Sequence, residues 1–522
     1  MKNCKPIALI VFLSFFTSYA QQNLEEAERL INENQYLKAA EYLEKFIPSD
    51  PENQEAHYFL GEAYNKLHCP DGSTLNYANL FFAFKATEHF KKVIAISPYY
   101  KGKTYVQGSF SKITSIWATM ACTYAYRGDL DSAKWAFKYG QEQGGFYPEI
   151  LEYNKNVLTT CAPNAILFTN GDNDTFPVWF LQLIENYRKD VTIINYSLLN
   201  TIWYIKQLKH NDLFGGDFIR IGFSDDQIDQ LYPIQWDKQT TSISVPFTIK
   251  QYEASSDLRQ QYNLTDFSVL KKGIVSWTLD PTISTDDFTG LQIQDLIVKE
   301  IIEANNWERP IYFAITCSED SKIGLQDYLR MDGLAYHLIP QKREIDKEFV
   351  NEKVLKSKLG ILTFNWLNSD HYKYLDEFKL SLNNYRNIFL RLTLYYLNNE
   401  QNNLAVKILD EMENKIPNKL VPMGLGLLYE TSNLYLNAGA IEKCNKLSRE
   451  VEILALEKLE KDPSDIQSYY NPYRILIDIY ERQEKNDKLL DIWKRIEILY
   501  PNEPSIKENV KKYQKLQGNS DK

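Results

Sequence analysis

Ala39, Leu43 and Pro51 stand at intervals of 4 and 12 residues, and Ala86, Phe90 and Pro98 repeat both intervals. Ala133 and Phe137 repeat the first, with Gly128 where a tight turn belongs, and 47 residues separate Ala39 from Ala86 and Ala86 from Ala133. A small residue at a fixed place lets two antiparallel helices approach closely, and the proline stops the second helix before the next unit. Such a unit buries its apolar face only against its neighbours, so the pattern predicts an array.

The far end of the chain repeats the device. Ala405, Leu409 and Pro417 keep the 4 and 12 intervals, as do Leu489, Trp493 and Pro501, with Cys444 near the small position of an irregular unit between them. Leu60, Gly61 and Tyr64 add a first-helix signature. The pattern resembles the tetratricopeptide repeat, whose unit is about 34 residues, so each unit here carries an excess of about 13. Insertions are expected at Cys69–Asn79 and Tyr99–Ser109.

The middle block reads differently. A strand Ala165–Thr169 precedes a helix Phe176–Arg188, and a strand Val191–Asn195 precedes a helix around Thr201–His210. A strand-like Ser242–Ile249, a long helix Leu291–Asn305 and strands Ile311–Ile315 and Ala335–Ile339 follow. Strands alternating with long helices predict an α/β domain with a mostly parallel sheet. The expected organisation is a signal peptide over 1–20, tetratricopeptide-like repeats over 21–155, the α/β domain over 160–345, a helical connector over 346–384 and further repeats over 385–515.

Lys2 and Lys5, the apolar run Ile7–Phe16 and the small-x-small Ser18-Tyr19-Ala20 read as an export signal cleaved near Gln21. The run falls short of the roughly 20 residues of a membrane span, and no later run is long and apolar enough. A periplasmic or cell-surface protein without a span after cleavage is expected. The net charge of −10 argues against nucleic acid as a partner. Beyond the signal come Cys69, Cys122, Cys161, Cys317 and Cys444, scattered and without CxxC, which fits at most one or two disulfides and no zinc site.

Ligands of parallel sheets sit outside the carboxyl ends of strands, where Asn170, Asp172, Asn173 and Asp174 fall. Asn195, Asn200, Trp203 and Tyr204 stand at the second strand exit and would share the same rim. Amides, carboxylates and aromatic rings together suit a glycan or a peptide. A hard divalent cation such as Ca²⁺ or Mg²⁺ is the alternative ligand for Asp172 and Asp174; otherwise no cofactor is expected. The same loop also reads as plain structure, with Gly171 in a positive-φ turn, Asp174 or Thr175 capping the helix and Pro177 in its first turn. Arg309 belongs to the opposite end of the strands and reads as structural, and His337 as core or surface. No P-loop, GxGxxG, GxSxG or HExxH occurs.

The segments AILFTNGDNDTFPVWFLQ, RKDVTIINYSLLNTIWYIKQL, NNWERPIYFAIT and LRMDGLAYHLIP, in this order over about Ala162 to Lys342, carry a resemblance. They resemble the soluble C-terminal portion of a bacterial family of protein O-mannosyltransferase-like (GT-C type) multi-pass membrane proteins. The membrane half, where that family's glycosyl transfer is expected, has no counterpart here. The resemblance therefore implies the accessory portion without the catalytic one. The reading that follows is an exported, non-catalytic scaffold of the cell envelope, its repeats holding a protein partner and its α/β rim a glycan or peptide, accessory to protein or envelope glycosylation. The alternative is an exported, cation-dependent enzyme acting on glycans through Asp172 and Asp174.

Overall fold

The computed structural model describes residues 21–210, 213–344, 349–365 and 375–520; the expected signal segment and parts of the 346–384 connector lie outside them. The chain divides into two compact units, Met1–Ile388 and Phe389–Lys522.

The first unit opens with three helix pairs: α1 (21–32) with α2 (Tyr36–Phe46), α3 (Gln54–His68) with α4 (Leu80–Ile96), and α5 (Ser109–Tyr126) with α6 (Leu130–Glu142). Helix α7 (Pro148–Thr160) follows. Ala39 and Leu43, Ala86 and Phe90, Ala133 and Phe137 lie on the second helix of each pair, and all six are fully buried. The helices meet closely enough that a Cβ on Gly61 would stand 3.0 Å from the Phe90 ring. Residues 69–79 and 97–108 lengthen the units as insertions.

The continuous apolar runs form buried strands. β1 (Ile166–Thr169), β2 (Thr192–Asn195) and β8 (Ile311–Ala314) are buried on both faces, and β1 pairs in parallel with both neighbours, Ile166 opposite Thr192 and Ile311. β9 (Leu329–Met331) and β10 (Ala335–Leu338) complete a five-stranded sheet of order β2-β1-β8-β10-β9. Both β8–β10 and β10–β9 are antiparallel, so the sheet is mixed and not mostly parallel as expected. For β9 and β10 the reason is local: residues 332–334 reverse the chain directly, and a short connection joins only antiparallel strands. Gly333 makes that turn at φ 129°, where a Cβ would also lie 2.8 Å from Thr160 Oγ1.

Two smaller sheets are wholly antiparallel. One has the order β3 (Ile234–Gln235), β7 (Thr289–Leu291), β6 (Ile283–Ser284), and the other pairs β4 (Gln239–Ser244) with β5 (Ile274–Leu279). The connecting helices are α8 (Asp172–Ile184), α9 (Ile202–His210), the short α10 (Asp225–Asp229), α11 (Ile249–Ala254), α12 (Ser256–Tyr262) and α13 (Ser268–Lys272), the long α14 (Ile293–Asn305), and α15 (Glu352–Ile361).

His337 on β10 is core: it is fully buried, stacks on Tyr312 at 4.3 Å between ring centroids, and sets Nδ1 3.1 Å from Asp332. Arg330 donates to the same carboxylate at 2.7 Å. Burial alone would raise the Asp332 carboxyl, but Arg330 and His337 outweigh it and hold it far below the usual range. Arg309 donates to the Asn164 and Ala165 carbonyls and to Thr192 Oγ1, tying β8 to the amino ends of β1 and β2. No disulfide joins the five described cysteines, and burial pushes the Cys161 thiol up to about 12.

The remaining helices are α16 (Leu375–Asn398), α17 (Asn402–Lys415), α18 (Leu425–Asn437), α19 (Ile441–Lys461), α20 (Pro472–Arg482), α21 (Asn486–Leu499) and α22 (Pro504–Ser520). In the second unit α18 packs on α19, and α21 on α20 and α22. Ala405 and Leu409 on α17, Cys444 on α19 and Leu489 on α21 are buried at the small and apolar places of the repeat.

Candidate functional site

The loop after β1 is shorter than its sequence suggests, because α8 already begins at Asp172. Gly171 occupies the N-cap with φ −147° and ψ −160°, an extended conformation open to any residue, and a Cβ there would meet nothing within 4 Å. The expected positive-φ turn is absent. Asp174 acts from inside the helix: Oδ1 accepts the Gly171 N–H at 2.7 Å and Oδ2 the Asn170 N–H at 2.9 Å. The Thr316 hydroxyl, just past β8, also donates to Oδ2. Burial raises the Asp174 carboxyl, and these three donors oppose that rise. Thr175 does not cap; its Oγ1 lies 2.7 Å from Thr169 Oγ1 and accepts from Asn195.

Pro177 is also displaced from its expected place. It is the sixth residue of α8, not part of the first turn, so its missing N–H leaves the Asn173 carbonyl without its helical donor. Asn154 of α7 supplies the replacement, donating Nδ2 to that carbonyl at 2.9 Å and to Ile150 at 2.8 Å. A polar residue on a neighbouring helix thus compensates for a proline within α8.

Asp172 turns the other way, toward α5. Ser115 Oγ donates to its Oδ2 at 2.7 Å, and Gln107 bonds it as well. Burial raises the Asp172 carboxyl, while Ser115, Lys112, Lys66 and Gln107 draw it back. Lys112 pairs with Glu62 of α3 at 2.8 Å, with side chains 8% and 1% exposed. The strand exit therefore abuts a polar cluster of Glu62 on α3, Lys112 and Ser115 on α5, and Gln107 just before α5. Sequence reasoning missed all four. A lone lysine in SFSKITSIWATMACT, whose residues are all buried, was the available signal.

The second strand exit is spent on internal bonds. Asn195 is buried, accepts the Leu198 N–H at 3.0 Å and donates to Thr175. Tyr204 is buried beneath it, its hydroxyl accepting the Asn195 N–H at 3.0 Å. Asn200 is exposed and exchanges bonds with Gln294. Trp203 Nε1 donates to the Gly72 carbonyl at 3.1 Å and its ring meets Tyr126 edge-on, so this residue fastens α9 to the N-terminal repeats. The structure thus brings Asn170, Asp174, Thr175 and Asn195 into one network around β1 and β2, and leaves Asp172 facing α5.

A hard cation needs carboxylates that converge on one point. Here Asp174 spends both oxygens on donors of its own loop and Thr316, while Asp172 faces Ser115. Among the described residues no group of three or more His, Cys, Asp or Glu could hold a metal ion. No helix of those residues is long and apolar enough to cross a membrane.

The class this architecture defines is a mostly helical repeat protein with a few small sheets in the middle of the chain. Residues 150–279 and 278–357 match the family model described as TMEM260-associated domain 2, TMEM260 being an O-mannosyltransferase-like protein. No curated protein matches the chain. Among solved structures, the tetratricopeptide domain of P58(IPK) aligns with 96% of this chain and 99% of its own, at 13% identity and a TM-score of 0.18. The APC/C hetero-tetramer Cut9–Hcn1 aligns with 97% of this chain and 92% of its own, at 10% identity and a TM-score of 0.16. The repeat assignment rests on the helix pairs themselves.

Proposed function

We propose that the chain is an exported, non-catalytic scaffold of the cell envelope whose helical arrays hold polypeptide partners. The observation that carries the reading is the recurrence, at both ends of the chain, of helices that bury a small residue in the repeat pattern. Such arrays offer extended surfaces suited to gripping a chain. The rim of the middle region is the weaker candidate for a glycan or peptide site. The amide and aromatic groups that would stack on and bond a sugar, those of Asn195, Trp203 and Tyr204, already have partners inside the fold. The similarity of residues 150–357 to a domain associated with an O-mannosyltransferase-like protein supports an accessory role in protein or envelope glycosylation.

The test is crosslinking of the full chain in envelope extract, with the crosslinked sites read by mass spectrometry. Crosslinks from a polypeptide should fall on 21–155 or 385–515. Crosslinks confined to other regions, or none above background, would sink the scaffold reading. Sequencing the purified protein's amino terminus should begin near Gln21; a chain that keeps residues 1–20 removes the export proposal.

A further inference from the structure

The insertion between α4 and α5, residues 97–108, lies along the first helices of all three N-terminal pairs. Tyr105 N–H donates to Tyr58 Oη at 2.9 Å, and Tyr58 donates to the Gln107 carbonyl at 2.5 Å. The Tyr100 ring stacks on Tyr58 with centroids 5.0 Å apart, and Tyr105 meets Phe59 edge-on at 5.8 Å. Lys103 reaches acids on two helices: its backbone N–H donates to Glu55 of α3 at 3.1 Å, and its ammonium pairs with Glu28 of α1. Ser115 of α5 lies 3.2 Å from the Gln107 side-chain oxygen. A segment touching α1, α3 and α5 occupies the face those helices share.

Two features mark the insertion as a displaceable occupant of that face. Its chemistry complements the wall, since two tyrosine rings rest on Tyr58 and Phe59, an ammonium on Glu28 and a backbone N–H on Glu55. It is also strained. Val106 sits at φ 70° and is 97% exposed, and Gln107 N–H bonds back to Tyr105 O at 2.8 Å in a three-residue turn. A β-branched residue in the left-handed region is an outlier, and such strain persists only where surrounding contacts over-determine it. Here the docking contacts of Tyr100, Lys103 and Tyr105 hold it, so release of the segment relieves it.

We infer that residues 97–108 are an internal stand-in for a partner peptide. The face of α1, α3 and α5 takes an extended basic segment bearing aromatic side chains, and it opens only when the insertion lifts away. This rests on the scaffold reading and adds to it the ligand's chemistry and a gate. A partner must displace the insertion, so its apparent affinity is its intrinsic affinity multiplied by the fraction of molecules that are open.

The experiment uses the full chain and a fluorescein-labelled peptide of the insertion's own sequence, SPYYKGKTYVQG, titrated by anisotropy. Lys103→Glu sets a carboxylate against Glu28 and Glu55 without touching the core, and a Gly–Ser replacement of 99–106 removes the Tyr100, Lys103 and Tyr105 side chains that dock the insertion. Each should bind the peptide at least about tenfold more tightly than the natural chain. Glu28→Lys with Glu55→Lys in the Gly–Ser chain should cancel that gain, and a peptide with both lysines changed to glutamate should not bind. Where the Gly–Ser chain fails to fold, Lys103→Glu decides, with its melting curve as the control for folding. A folded Lys103→Glu chain that binds no tighter than the natural one overturns the inference, and so does binding indifferent to Glu28→Lys and Glu55→Lys. Either result leaves the scaffold reading standing, which falls only if crosslinking finds no polypeptide on the arrays.

Discussion

The two helical arrays pack the same small-residue repeat with different polar chemistry. The N-terminal array hides charge and imidazole inside: the Glu62–Lys112 pair is almost wholly buried, and His57 and His68 are 5% and 3% exposed. In each described ion pair of the C-terminal array the basic side chain stays at least 26% exposed, although Glu452 and Asp465 are largely covered. Lys443–Asp410 has side chains 45% and 40% exposed, and Arg482–Asp478 26% and 40%. No histidine occurs in 389–522. Buried polar groups tie specific partners together and become costly when one partner is lost, whereas surface pairs contribute little. The array with internal polar ties is the one that shares a compact unit with the sheet.

The largest expected effect comes from breaking the buried pair. Glu62→Gln leaves the Lys112 ammonium buried without its partner, which costs about 3–5 kcal/mol. The lower end is expected here because Asp172 lies close enough to feel Lys112. Lys443→Ala in the other array should cost less than about 1 kcal/mol. Urea denaturation followed by tryptophan fluorescence separates the two, since Trp493 is the only tryptophan of 389–522. Equal costs at the two sites would erase the contrast between the arrays.

Acid sharpens the contrast next. Burial pushes His68 down to about 4 and His89 down to about 4, and lowers His57 as well. Their folded values lie below the unfolded one, so the unfolded chain takes up protons first as pH falls. The stability they protect is intact above about pH 6.5 and drains away toward pH 4, by about 3 kcal/mol for His68 alone. Asp172 and Asp174 act oppositely. Their raised carboxyls favour the folded state on protonation and soften the loss at the acid end. The first unit's urea midpoint should therefore fall between pH 7.5 and 5, and the second unit's should not fall for this reason. His68→Gln should flatten part of the slope; an unchanged slope would show that His68 titrates normally in the fold.

The third effect concerns the proline inside α8. Asn154→Leu removes the donor of the Asn173 carbonyl and should cost about 1–3 kcal/mol. Pro177→Ala restores a helical N–H to the same carbonyl, so Asn154→Leu should cost less in that background. A double-mutant cycle measures the difference. Strict additivity would mean that Asn154 is not the compensating group.

These sites also show what the sequence could and could not disclose. Ala39, Ala86, Ala133 and Ala405 were readable because their spacing is a local consequence of helix pairing. β1, β2, β8 and β10 were readable as apolar runs. β3, β6, β7 and β9, of two or three residues each, were not, because pairing with distant strands and no inherent pattern defines them. The α8 boundary is illegible for the same kind of reason. Pro177 marks a first turn by default, and the residue that makes it tolerable deeper in the helix stands on α7. Asp172 is legible as a polar strand-exit residue, yet its partner Ser115 lies 57 positions away, so its orientation is not.

The smallest expected effect marks the limit of the contrast, because it falls in the polar-tied unit itself. Gly171 stands at the N-cap of α8 beside Asp172 and Asp174, where glycine invites the expectation of a left-handed turn. Its φ of −147° needs no glycine, and a Cβ would meet no atom within 4 Å. The bonds that matter there run from the Gly171 and Asn170 N–H groups to Asp174, and alanine keeps both. At an N-cap alanine is somewhat poorer than glycine, and against that it lowers the entropy of the unfolded chain by about 0.4–1 kcal/mol. Gly171→Ala should therefore leave the first unit's stability within about 0.5 kcal/mol of the natural chain. Gly171→Ser should be at least as stable, since its hydroxyl adds an acceptor for the first turn of α8. A loss of several kcal/mol in either variant would mean that the loop adopts a positive φ in solution, and the account of Asp174 as the group that holds the strand exit would have to be abandoned.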